Sequence, residues 1–320
     1  MTEEELEGRI QSHDVENALL PHFETGRYAT NYTALEAITC EHERKICSTF
    51  LFRLPQAWRK TKGDGVRVAL LDTGVDTNHS DLANSIIKMK DFTGQGVEDL
   101  NGHGTYCAGV IGANPIRAGL TGVAPECQLL VGKVLNNDGS GDFSDIADGV
   151  DWAVDSGAHI ITMSMCGPSS SPLLYRSITY ALAKGVHIIC AAGNTDKSPE
   201  TIGYPSRYGG AITVGCHDHV GISSLGRELG LTAPGVDIWS TYKGGSYREL
   251  SGCSVATSFV AGIAALIVSR HLLLPQPNTP IFNCEDLLAH LTAMTSSPRH
   301  NSSARESQQL PPFLVAGSRA

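Results

Sequence analysis

Charge and aromatic rings are both scarce in this chain. Of 320 residues, 18% are charged and 6% aromatic, and the formal net charge is -9. An acidic balance without a basic run excludes nucleic acid and an anionic membrane as default partners. Apolar runs stay short of the roughly 20 residues that a spanning helix needs. The acidic opening Met1 to Glu7 lacks the apolar core of a signal peptide. The chain as given is therefore expected to be cytoplasmic, and secreted only if its true N-terminus lies upstream. Nine cysteines occur without a C-x-x-C pair, which argues against a metal framework and agrees with a reducing compartment. No internal repeat is visible. What is plentiful is apolar residues, 41%, and glycine, 34 in all. That suits a large core with many tight loops around one site.

One stretch organises the rest. Leu250-Ser251-Gly252-Cys253-Ser254-Val255-Ala256 passes from small residues into an apolar helix former running to Val268. This predicts a tight turn entering a buried helix, with Ser254 in the first turn among unsatisfied backbone N–H groups. By itself the serine reads as an ordinary N-cap. Three further stretches change that reading. Val66 to Leu71 is a short apolar run that predicts a buried parallel strand, ended by Asp72-Thr73-Gly74. Asn101-Gly102-His103-Gly104-Thr105 puts an imidazole at a glycine-flanked helix start, and Val186 to Ala192 is a second buried strand closing on Gly193-Asn194. Acid, imidazole, amide and hydroxyl each stand where an element begins or ends, the place open α/β sheets put their sites.

The order Asp72, His103, Ser254 is that of the subtilisin group among triad enzymes. Leu71-Asp72-Thr73-Gly74-Val75-Asp76, His103-Gly104-Thr105, Ala192-Gly193-Asn194 and Gly252-Cys253-Ser254-Val255-Ala256 together resemble the subtilisin-like serine proteases over about Leu54 to Arg270. The fold class expected is α/β, a three-layer, mostly parallel twisted sheet with helices on both faces. The alternation agrees: strands at 66–71, 127–135, 159–163, 186–191 and 211–215, and helices at 103–113, 143–156, 173–184 and 254–270. Residues 1–53 are expected to be an N-terminal extension, helical between Leu6 and Leu20 or a short pro-segment. Residues 54–295 would be the catalytic domain, with a further helix in 284–295. Residues 296–320, rich in Ser, Pro, Arg and Gln, are expected to be a loose tail.

The resemblance implies a serine endopeptidase acting on proteins or peptides through an acyl-enzyme. Ser254 would be nucleophile, His103 general base and then acid, and Asp72 the group orienting the imidazole. The Asn194 amide and the Ser254 N–H would hold the oxyanion. An extended peptide would pair with Gly139-Ser140-Gly141 and Ser164-Met165-Cys166-Gly167 by β-augmentation. Gly203 would floor the primary pocket, and its bare depth leads to an expectation of broad specificity leaning to large apolar residues before the scissile bond. Relatives carry glycine where Cys166 stands. No cofactor is needed for the chemistry. Asp81 matches a carboxylate at a structural calcium site, although Ile116 stands where relatives offer an asparagine; a plain surface carboxylate is the equal reading. Cys107, one turn after His103, matches the cysteine of proteinase K-type subtilases and reads equally as a small buried hydrophobe. A catalytically weak, peptide-binding relative is the alternative function. An esterase of the α/β-hydrolase class is disfavoured, because Ala256 occupies the last glycine of G-x-S-x-G. Nothing in the pattern specifies an oligomeric state.

Overall fold

The computed structural model describes residues 54–116, 119–193, 202–217, 229–273, 281–293 and 315–316. The helix expected between Leu6 and Leu20 lies outside the described residues.

Seven strands form one parallel sheet. They are β1 (Arg67–Asp72), β2 (Ile86–Asp91), β3 (Gln128–Lys133), β4 (Ile160–Met163), β5 (His187–Ala191), β6 (Ile212–His217) and β7 (Leu231–Pro234). An antiparallel hairpin, β8 (Ile238–Tyr242) with β9 (Ser246–Leu250), stands apart, and β10 (Val315–Ala316) adds antiparallel to β7. Sheet order is β10-β7-β6-β5-β4-β1-β3-β2, so the chain reverses its direction of growth around β1. Such a switch point opens a crevice at the carboxyl ends of the strands. The helices are α1 (Leu54–Ala57), α2 (His103–Gly112), α3 (Phe143–Asp155), α4 (Pro172–Ala183), α5 (Cys253–Leu273) and α6 (Cys284–Ala293).

Strand alternation divides the core in two. Val68 and Leu70 of β1, with Ile160 and Ile189, face α2 and α5; Ala69 and Leu71, with Ile161 and Ile188, face α3 and α4. Both faces are covered, which is why these strands read as continuous apolar runs. Ser171 caps α4 by accepting the Leu174 N–H, and Pro172 follows at the first helical position. α5 is the central helix. It is long and apolar enough to cross a membrane, contrary to the expectation of short runs only, but 94% of its most apolar window is buried inside the fold. Its all-round apolarity is that of a core helix packed on every side.

Every expected strand and helix of the alternation is present within a few residues. Five strands were not foreseen. β2 is an edge strand with Ile87 and Met89 exposed, so it lacks a buried pattern. β7 is only four residues long and ends in proline. The β8–β9 hairpin turns through Gly244 and Gly245, both at positive φ, a glycine pair between two aromatic-rich runs that is a readable hairpin signal. Within the tail expected to be loose, Val315 and Ala316 instead pair with Thr232 and Leu231. They cover backbone groups that the β7 edge would otherwise expose.

His187 on β5 is buried, and its Nδ1 has no hydrogen-bond partner among the described residues. Burial, reinforced by His159, pushes its pKa down to about 4 against the opposing charge of Asp286. The folded protein therefore holds this ring neutral, whereas the unfolded chain takes up a proton near 6.5. Stability present above about pH 6.5 is lost as pH falls towards 4, by up to about 3 kcal/mol. Denaturant titrations between pH 7 and 4 are expected to show a shallower loss for His187→Gln than for the wild type; equal slopes would remove His187 from the acid limb.

Candidate active site

The sheet register assembles the site. Leu70 of β1 pairs with Thr162 of β4, so Asp72 and Ser164 both lie two residues beyond that pair at the carboxyl edge. Met163 pairs with Cys190 of β5, which brings the end of β5 at Ala191 alongside. Asp72 is buried, and its Oδ1 accepts the Thr73 N–H at 2.7 Å and meets His103 Nδ1 at 2.7 Å. Its Oδ2 has no partner among the described residues. The facing carboxylate, then the Cys107 thiol, hold the His103 pKa well above the usual histidine range, against burial. Cys107 Sγ lies 3.9 Å from His103 Nδ1.

Ser254 falls in the first turn of α5, where backbone N–H groups have no intrahelical acceptor. Its hydroxyl donates to the Ser164 carbonyl at 3.1 Å, and the Ser164 hydroxyl donates back to the Ser254 carbonyl at 3.2 Å. Nucleophile candidate and acid–imidazole pair thus hang from neighbouring points of the same sheet edge. Asn194 lies outside the described residues. The two residues before it are in place: Gly193 turns the chain at φ 103, and its carbonyl accepts the Cys253 thiol at 3.2 Å. That contact ties the residue before Ser254 to the residue before Asn194, a role the sequence reading did not assign to Cys253. Phe259 enters the core and is buried, and Ser258 donates to the Ser254 carbonyl at 2.9 Å.

Asp99 is the residue that sequence reasoning missed. This buried carboxylate accepts from Thr73 Oγ1 at 2.9 Å, the N–H groups of Asn101 and Gly102 at 3.1 and 2.7 Å, and the N–H and Oγ1 of Thr105 at 2.8 and 2.6 Å. Thr73 Oγ1 in turn accepts the Gly104 N–H at 2.9 Å. One carboxylate therefore joins the turn after Asp72 to the first turn of α2. The two approach so closely that a Cβ on Gly104 would stand 2.1 Å from the Gly74 carbonyl oxygen. Lys133 closes the base. It is buried and donates to the Thr73 carbonyl at 2.5 Å and Asn137 Oδ1 at 2.9 Å. Burial pulls its pKa below the usual lysine range, and the charges of Asp99, Asp91 and Asp72 oppose that pull. The only hint in the sequence was a charged residue in an otherwise apolar strand.

The two expected peptide-binding segments leave the sheet on either side of β1. Gly139, Ser140 and Gly141 are exposed in the loop after β3, with Gly139 at φ 85. Ser164 is buried, Met165 half-buried and Cys166 exposed after β4, and Gly167 exchanges two backbone hydrogen bonds of 2.8 Å with Tyr204, next to Gly203. Asp81 is buried, and its Oδ2 accepts the Leu120 N–H and the Tyr247 hydroxyl, both at 2.7 Å. Calcium needs about six to eight oxygen ligands. Here two donors occupy the one carboxylate oxygen, and Ile116, 67% exposed, brings none. The described residues around Asp81 do not make a calcium site as they stand. Asp72, His103 and Cys107 have donor atoms within 4.8 Å of one another, but a cation there would have to break the Asp72–His103 pair.

The subtilase family model matches residues 63–306. This chain belongs to the subtilase family. It is 42% identical over 230 residues to an intracellular serine protease of Paenibacillus polymyxa, covering 68% of this chain and 71% of that one. It is 41% identical over 234 residues to the major intracellular serine protease of Bacillus subtilis (strain 168), at 68% and 73% coverage. Thermitase of Thermoactinomyces vulgaris matches at 38% over 223 residues, at 68% and 79%. The enzyme class follows: this subtilase is a serine-type endopeptidase.

The Asp99 network carries a prediction. Asp99→Ala removes the carboxylate that joins the Asp72 turn to α2 and leaves the Gly104 N–H to Thr73 Oγ1 and Asp76 N–H to Thr105 Oγ1 links unsupported, so His103 loses its fixed placement. A fall of about 10²-fold in kcat/KM is expected, the scale of a misplacement near 1 Å. Steady-state kinetics on the folded variant measures it, and an unchanged kcat/KM would dissociate Asp99 from the site.

Proposed function

We propose that this subtilase hydrolyses peptide bonds inside the cell through Asp72, His103 and Ser254, with Asn194 and the Ser254 N–H receiving the oxyanion. The observation that carries this reading is the 2.7 Å contact between a buried carboxylate and an imidazole at the sheet edge from which Ser254 also hangs. Two of the relatives are named as intracellular proteases, which supports the compartment.

An extended peptide lies between residues 139–141 and 164–167 and presents its carbonyl to Ser254. Rotation about the Ser254 Cα–Cβ bond hands the hydroxyl's hydrogen bond from the Ser164 carbonyl to the imidazole. His103 takes the proton as Ser254 Oγ attacks, and Asp72 stabilises the imidazolium that forms. His103 then protonates the leaving amine as the acyl-enzyme forms. Water, deprotonated by the same imidazole, releases the acid. Ser254 lies at the positive end of α5, where developing negative charge is favoured. Asp81 accepts from Tyr247 and Leu120, and the triad chemistry calls for no cofactor.

The decisive test is labelling by a fluorophosphonate probe. Wild type is expected to label and Ser254→Ala is not; an unlabelled, folded wild type would favour the peptide-binding alternative. Activity requires a neutral His103, whose pKa is raised, so kcat/KM should climb with pH through a limb well above 6.5. Asp72→Asn is expected to move that limb to lower pH while turnover falls about 10⁴-fold, as in other triad enzymes. A limb that stays in place would separate Asp72 from the titrating group. Exchange into a chelating buffer is expected to leave the melting temperature unchanged. A drop that calcium reverses would restore the metal reading of Asp81.

A further inference from the structure

The expected preference for large apolar residues rests on an empty space above Gly203, and that space is filled. A Cβ built on Gly203 would stand 2.1 Å from Cys166 Sγ, and 2.7 Å from the Gly167 carbonyl oxygen. The thiol therefore occupies the position into which a side chain on the floor residue would project. It is anchored there, donating to the Ala192 carbonyl at 3.7 Å. Three backbone segments meet around this sulfur. The first is 164–167, whose Ser164 carbonyl holds the Ser254 hydroxyl; the second is 192–193, leading to Asn194; the third is 203–204, hydrogen-bonded to Gly167. The first of these segments carries the carbonyl that accepts the Ser254 hydroxyl, so the side chain preceding the scissile bond would lie beside it.

We propose that Cys166 is the residue that sets specificity in this subtilase, making the primary pocket shallow and selecting small side chains, alanine or serine, before the cleaved bond. The inference rests on Ser254 being the nucleophile and adds the class of substrate. A sulfur atom against the floor removes the depth an aromatic ring needs, while a methyl or hydroxymethyl group fits above it. The backbone hydrogen bonds between Gly167 and Tyr204 keep the two walls from parting to restore that depth.

Peptide p-nitroanilides that differ only in the residue before the scissile bond test this. Wild type is expected to favour alanine over phenylalanine in kcat/KM by about tenfold or more, the discrimination a few methylenes give in an apolar pocket. Cys166→Gly is expected to raise kcat/KM for phenylalanine by about 10–100-fold and to reverse the order. Cys166→Ser, nearly the same size, should retain the wild-type order, which assigns the effect to volume and not to a thiol reaction. A wild type that prefers phenylalanine or leucine, or a Cys166→Gly variant with the wild-type ratio, overturns the proposal. A fluorophosphonate control separates the two levels. If Ser254 labels but no substrate in the series is cleaved, the pocket inference falls and the nucleophile stands. If Ser254 does not label, both fall.

Discussion

The close seating of α2 on the turn that ends β1 is the constraint on which the site depends. No side chain fits between Gly104 and the Gly74 carbonyl oxygen, so two backbones touch where the acid and the imidazole must meet. Backbone contact of that kind brings N–H groups out of water, and buried N–H groups need acceptors. Asp99 supplies them from inside, together with the hydroxyls of Thr73 and Thr105. Hydrogen bonds to a charged acceptor contribute about 1.5–3 kcal/mol each, so this carboxylate is a rigid joint and not a surface ornament. The 2.7 Å Asp72–His103 contact spans the same two segments that this joint holds together.

A second constraint comes from the sheet. Growth reverses around β1, so the loops after β3 and β4 leave on opposite sides of Asp72. α5 then runs buried beneath the sheet face with its first turn at this edge, which brings Ser254 to the carbonyl of Ser164. Cysteine stands at two points near this edge. Cys253 ties the first turn of α5 to the segment before Asn194, and the Cys166 thiol stands over Gly203. The two sulfurs sit differently: that of Cys253 is buried in a backbone junction, and Cys166 is exposed.

Much of the fold was legible because its strands are buried on both faces and its helices are bounded by glycine, proline or a serine cap. Such signals are local and survive without tertiary knowledge. Strands failed to register where burial was one-sided or absent: Ile87 and Met89 of β2 face solvent, and β10 has only two residues. The candidate triad was legible because each member stands at an element boundary within a short motif. Asp99 and Lys133 were not, since an acid in a loop and a lysine in a strand read as solvated charges until both prove to be buried.

What the sequence by itself determined is therefore the local chemistry: which strands are doubly buried, which helix starts carry an imidazole and a hydroxyl, and that an aspartate, a histidine and a serine occur in subtilase order. Distance was decided only by the tertiary structure. It turned Asp99 into a joint, gave Asp81 to Tyr247 and placed the Cys166 thiol over Gly203. The physical reason is that each of these contacts joins segments remote along the chain. Their separation is set by sheet register and helix seating, which no single stretch of residues encodes.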